Sequence, residues 1–167
     1  MLIECTKKLA DAMKIQLEAV DSIAHEPFFE WHANIFMFDR RKAVIIMNNA
    51  ARYCIVLYGL KAEHFKKLES IALSAIEETF LAEGFSSSKV KRYIEKCGSV
   101  KYTKTHDRSI ISQMNEFLIH ITWEIENHLP SERLNLVELN KWTGEIISLQ
   151  LEEVYPIQAL KKEMDKI

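Results

Sequence analysis

Trp31-His32-Ala33-Asn34-Ile35-Phe36-Met37-Phe38, then Asp39-Arg40-Arg41-Lys42, then Ala43-Val44-Ile45-Ile46-Met47: two apolar runs around four charged residues decide the fold class. Runs of Ile, Val, Phe and Met on either side of a short polar segment predict a β-hairpin, with strands at about 32–38 and 43–48. A third strand is expected at 51–58, joined through Asn48-Asn49, because Asn tolerates the left-handed backbone of tight turns. Three sequential strands with short turns make an antiparallel meander.

Working outward, residues 1–6 read as a short strand, and Thr6 caps a helix from Lys7 to about Ile15. Residues 16–30 are mixed, acidic and interrupted by Pro27, so a loop is expected there. On the other side Gly59 is expected to end the sheet run. His64–Ala82 then carries Leu68, Ile71, Ala72, Ala75, Ile76, Thr79 and Phe80 at helical spacing, with Gly84 as terminator. Ser86 starts a shorter helix that stops at Gly98, and residues 100–105 form a strand. Asp107 caps the longest helix, which reaches about His128 and is closed by Pro130. The pattern over 134–151 suits a further helix, and a charged one follows Pro156. Strands and helices mix without regular βαβ alternation. The expected class is therefore α+β: an antiparallel meander packed against several helices in a single domain. Its core would be residues 1–130, with 131–167 a helical extension packed on it.

The 167 residues suffice for one core without disulfide staples. Net charge is −2, which excludes a chain that is polycationic throughout. The charge is uneven, however. Residues 39–67 carry seven Lys/Arg against two acids, residues 84–108 again seven against two, and residues 109–167 five against ten. Two basic blocks in an acidic protein form one patch if the fold joins them. Cys5, Cys54 and Cys97 are far apart and odd in number, so free thiols in a reducing compartment are expected. No apolar run approaches the roughly 20 residues of a membrane helix, and the N-terminus lacks a signal-peptide layout. A cytoplasmic protein with no membrane partner is the expectation.

Two segments carry candidate chemistry. In the first, His32 and Asn34 share one strand face, with Trp31 beside them and Asp39, Arg40, Arg41 and Lys42 at the turn. An imidazole beside an amide suits proton transfer or polar recognition; the plainer alternative is a strand-end hydrogen bond and a charged hairpin tip. The second is Tyr102-Thr103-Lys104-Thr105-His106-Asp107-Arg108-Ser109, which runs from a strand into the longest helix. A helix N-terminus flanked by Lys104 and Arg108, with hydroxyls from Thr103, Thr105 and Ser109, suits a phosphate or carboxylate, although Asp107 is itself a natural cap. Asn115 follows one or two turns into that helix. Glu116, His120, Glu124 and His128 recur every fourth residue, but beside the apolar stripe, where they pair along the surface. No second segment with ligand spacing accompanies them, so neither a metal nor a cofactor is expected.

The strings Cys5-Thr6-Lys7-Lys8, Trp31-His32-Ala33-Asn34, Asp39-Arg40-Arg41-Lys42, Tyr58-Gly59-Leu60-Lys61, Ala82-Glu83-Gly84 and 102–109, with Met114-Asn115 after, resemble an uncharacterised bacterial and archaeal domain family. That family also occurs as a module attached to plasmid- and transposon-associated proteins. The resemblance covers about residues 1–130. It implies a mobile-element or defence context and assigns no reaction, substrate or cofactor. Asn49 stands where the family pattern usually carries Asp.

Three roles fit these readings, and whether the chain is an enzyme stays open. One is a binding or regulatory module that holds a phosphate-bearing ligand or nucleic acid on its basic face. Another is a small metal-independent nuclease, such as a toxin-like ribonuclease, with His32 as acid or base and Lys104 or Arg108 stabilising charge. The third is a scaffold that meets a protein partner through its acidic helical tail. The first two ask residues 31–42 and 103–109 to line one hollow.

Overall fold

The computed structural model describes residues 1–17, 26–128 and 134–167. The decisive stretch forms its hairpin: β2 (Glu30–Phe38) pairs antiparallel with β3 (Arg41–Asn48), Phe38 lying opposite Arg41. Asp39 and Arg40 form the two-residue turn, both at positive φ (46° and 59°), the combination whose twist matches the flanking strands. β4 (Cys54–Leu60) completes the meander. Gly59 lies inside β4 and does not end it. Tyr58 faces Ala43 and Leu60 faces Lys42, so Gly59, at φ 78°, is the extra residue of a β-bulge. The second turn is longer than Asn48-Asn49; Arg52, at φ 55°, supplies its left-handed residue.

Two short strands extend the meander to a five-stranded sheet of order β4-β3-β2-β1-β5. β1 (Leu2–Cys5) lies between β2 and β5 (Lys101–Lys104), parallel to both. The sheet is therefore mixed, and the class is α+β. Parallel neighbours need long connections. α1 (Lys7–Met13) lies on the path from β1 to β2. On the path from β4 to β5 come α2 (Ala62–Phe65), α3 (Leu68–Ala82) and α4 (Ser87–Cys97). The helix expected over 64–82 is thus two, broken at Lys66-Lys67. α4 keeps its Ser86 cap, whose hydroxyl accepts the Lys89 N–H. α5 (Arg108–Asn127) starts at Asp107, whose carboxylate accepts the Ser109 and Ile110 N–H groups. Of the helix expected over 134–151 only α6 (Leu136–Thr143) forms. A side chain at Gly144 would strike the Tyr53 ring, so the chain passes close there and turns away. α7 (Pro156–Met164) follows. Most of the expected 16–30 loop, residues 18–25, and Pro130 lie outside the described residues; Pro27–Phe29 is a single 3-10 turn.

Strand alternation divides the core into two clusters. Ile3, Trp31, Ala33, Ile35, Val44, Ile46, Ile55 and Leu57 pack with Leu9 of α1, Ile76 and Phe80 of α3, Tyr93 of α4 and Leu160 of α7. Phe36, Ala43, Ile45, Met47, Cys54 and Val56 pack with Ile110, Met114, Phe117, Ile121 and Ile125 of α5 and Leu139 of α6. The stripe at 110, 114, 117, 121 and 125 is the 3.6-residue period that made α5 legible.

β4 is an edge strand, and an edge leaves backbone groups without partners. α6 supplies them. Asn140 Oδ1 accepts the Val56 N–H at 2.7 Å, and the Thr143 hydroxyl donates to the Cys54 carbonyl at 2.7 Å, both side chains being buried. Replacing Asn140 with Leu leaves the Val56 donor dry and unpaired. Urea denaturation should then show about 1–3 kcal/mol less stability, with the sheet's circular-dichroism signal retained before the transition.

Candidate functional site

Adjacent strands place Thr103 of β5, Glu4 of β1, His32 of β2 and Met47 of β3 in one row across the sheet. Paired neighbours share a face, so the row is apolar on the meander side and polar over β2, β1 and β5. Glu4 and His32 are both fully buried. Past β5 the chain folds back, so that the His106 ring lies 5.9 Å from the His32 ring, centroid to centroid.

Glu4 is the hub. Its Oε2 lies 2.5 Å from His106 Nδ1 and accepts the His106 backbone N–H at 3.3 Å. Oε1 accepts Asn49 Nδ2–H at 2.9 Å. The same Asn49 nitrogen donates to Glu30 Oε2 at 3.1 Å. Two carboxylates on Nδ2 fix the amide's orientation, and its oxygen therefore faces His32 Nδ1, 2.8 Å away. An amide oxygen only accepts, so Nδ1 of His32 carries the hydrogen. Nε2 then points toward Glu4 Oε2 at 3.3 Å without hydrogen-bond geometry and is unpartnered. The Thr103 hydroxyl in the same row is also buried without a partner.

A second tie closes the site. Arg52, in the turn after β3, donates through Nη1 to the Asn49 carbonyl, and its charge acts on Asp107. Burial pushes the Arg52 guanidinium down, and Asp107 pulls it back up. For Asp107, partial burial would raise the carboxyl. The Ser109 hydroxyl and N–H, the Ile110 N–H and Arg52 outweigh it, so the carboxyl lies below its ordinary range.

The structure brings His106 of the 103–109 segment beside His32 and sets Thr103 in the same row across Glu4, whereas the capping Asp107 is linked to them only through the charge of Arg52. Lys104 pairs with Cys5, on the opposite face, where with Thr105 it lines a hollow with Lys7 and Asp11. Arg108 and Ser109 are exposed at the start of α5, and Asn115 is exposed farther along it. Asn34 accepts the Thr6 hydroxyl at 2.9 Å and so supports the cap of α1. Trp31 faces the other core and donates to Tyr93 Oη at 3.1 Å.

Asp39, Arg40, Arg41 and Lys42 are not part of this cluster. Phe38 pairs with Arg41 at one end of the hairpin, whereas Trp31 pairs with Asn48 at the other. Six residue steps along the strand from His32 to Phe38 span about 20 Å. On α5, His128 bonds the Glu124 carbonyl at 2.9 Å and its carboxylate lies 3.5 Å away, a surface pairing as expected.

Glu4, Glu30, Asn49 and His106 escaped sequence reasoning as site residues. One signal was available: Glu4 is the lone charge in the strand Leu-Ile-Glu-Cys. Asn49 stood out as a turn residue and as a departure from the family pattern.

Among curated proteins, none matches the chain. A family model described as a domain of unknown function, DUF6933, matches residues 2–159. The matched span runs from β1 into α7 and so includes the whole sheet, α6 at its edge and every member of the Glu4 cluster. The chain belongs to the DUF6933 family.

Proposed function

We propose that this domain is a binding module that holds a phosphate-bearing ligand, nucleic acid foremost, on the basic end of its meander. One observation carries the reading. Arg40, Arg41, Lys42, Lys61, Lys66 and Lys67 are all exposed, and Lys42 pairs with Leu60, so the Lys61 segment adjoins the hairpin tip. Within these two segments only Asp39 and Glu63 oppose them. Lys42 Nζ also lies 5.6 Å from the Phe65 ring centroid, which links the tip to α2. Such a field attracts polyanions and is strengthened by counterion release on binding. The 84–108 block contributes less, because Lys89 pairs with Asp165 at 2.6 Å and Arg92 donates to the Ile167 carbonyl at 2.8 Å. In the mobile-element setting implied by the resemblance, the ligand would be DNA or RNA.

Fluorescence anisotropy with labelled single-stranded RNA and duplex DNA tests this. Binding should weaken steeply with salt. The double variant Arg40→Ala/Arg41→Ala should lower affinity about tenfold or more and reduce the salt slope by about two. Absence of binding at low salt, or a double variant that binds like the parent, refutes the reading.

A second reading is phosphodiester cleavage at the Glu4 cluster. Its support is the His106 ring, 59% exposed yet anchored on a fully buried carboxylate. In this reading His106 exchanges the proton, Glu4 orients it, and Arg108, two residues on, supplies the cation. RNA and DNA cleavage assays should then show activity that falls about 100-fold in His106→Ala while its far-UV circular-dichroism spectrum stays that of the folded parent. No cleavage of either polymer would remove it.

A further inference from the structure

We propose that Glu4, His32 and His106 bind a divalent first-row transition ion, with zinc as the leading candidate. His32 Nε2, His106 Nδ1 and one Glu4 carboxylate oxygen lie within 4.8 Å of one another. The decisive observation is His32 Nε2. The ring is fully buried, its Nδ1–H is committed to Asn49, and Nε2 has no hydrogen-bond partner. In the neutral ring that nitrogen bears a lone pair 3.3 Å from a carboxylate oxygen. Two electron-rich atoms facing each other in a dry site call for a cation between them. A proton on Nε2 would find no acceptor in line, whereas a metal ion accepts from both.

The spacing agrees. Ligand atoms on a tetrahedral zinc with bonds of about 2.0–2.1 Å are roughly 3.3 Å apart, the present His32–Glu4 separation. The His106–Glu4 contact, at 2.5 Å, is shorter, so the exposed His106 ring must shift outward by under about 1 Å. Its ring proton then resides on the other nitrogen, and the neutral imidazole coordinates. Outer contacts are also in place. Asn49 accepts from the far nitrogen of His32 and donates to the far oxygen of Glu4, and such contacts orient metal ligands. Two imidazoles and one carboxylate favour zinc, iron or cobalt over magnesium or calcium, which prefer all-oxygen sites. Three protein ligands leave a fourth position, and the exposure of His106 gives it a path to solvent. The inference is independent of nucleic-acid binding at the basic end, which lies along the sheet.

The test uses the full chain, stripped with a chelator and titrated with zinc or cobalt chloride by calorimetry and visible absorption. Expected are one ion per chain, the d–d bands of low-coordinate cobalt, and a zinc-dependent rise in Tm. His106→Ala, at an exposed position, should fold normally, lose the cobalt bands and bind at least about 100-fold more weakly. His120→Ala, on the outer surface of α5, should bind like the parent. Absence of uptake, uptake that survives His106→Ala, or an equal loss in His120→Ala overturns the proposal.

Discussion

A carboxylate with no exposed surface must be given partners inside the protein, and Glu4 sets that requirement for the whole β1 side of the sheet. An ion left unpaired in such a place costs several kcal/mol, a large part of a small domain's net stability. Its partners come from two distant segments: Asn49 after β3 and His106 before α5. Each is held in turn. Asn49 is braced by Glu30 and Arg52, and His106 stands one residue from the Asp107 cap. The β3–β4 turn and the entry to the longest helix are thus positioned by one buried negative charge.

Elsewhere most buried polar groups have partners, although Gln113 Oε1 on α5 has none among the described residues. Trp31 donates to Tyr93, whose hydroxyl donates to the Phe28 carbonyl at 3.1 Å. Tyr53 donates to Glu83, whose carboxyl burial pushes upward. Asn140 and Thr143 serve the edge of β4. These contacts close the accounts of individual donors and acceptors. The Glu4 cluster differs because it leaves two polar atoms, His32 Nε2 and Thr103 Oγ1, without partners in one row of the sheet. That imbalance, rather than the number of charged residues, distinguishes it from structural polar packing.

Elements made of local contacts were legible in the sequence. The hairpin, α4 and α5 carry their own periodicity and caps, and Ser86 and Asp107 do what their side-chain chemistry suggests. The bulge at Gly59 read as a strand end because a lone glycine does not distinguish the two. Beyond Gly144 the apolar pattern persisted while close packing against Tyr53 turned the chain aside, so the expected helix shortened. The site was less legible for a topological reason. Residues 4, 32, 49 and 106 meet only because β1 pairs in parallel with strands 28 and 99 residues downstream, and no local pattern reports such pairing. His32 was singled out in the sequence, but with other neighbours than the Asn49, Glu4 and His106 that surround it in the fold. The cationic tip and Lys104, both grouped with it, lie at the far hairpin end and on the opposite face.

The parallel insertion of β1 also orders events during synthesis. The meander and its hairpin can collapse as soon as their residues emerge, since their pairings are short-range. Leu2–Cys5, translated before the other strands of the sheet, meets one neighbour only after residue 33 and the other only after residue 104. Until then this strand keeps an unpaired edge, and at ribosomal speeds of about 5–20 residues per second that interval lasts about 5–20 seconds. A charge in the middle of that strand keeps the nascent segment soluble, so Glu4 would guard against premature strand pairing before it becomes the hub of the finished sheet.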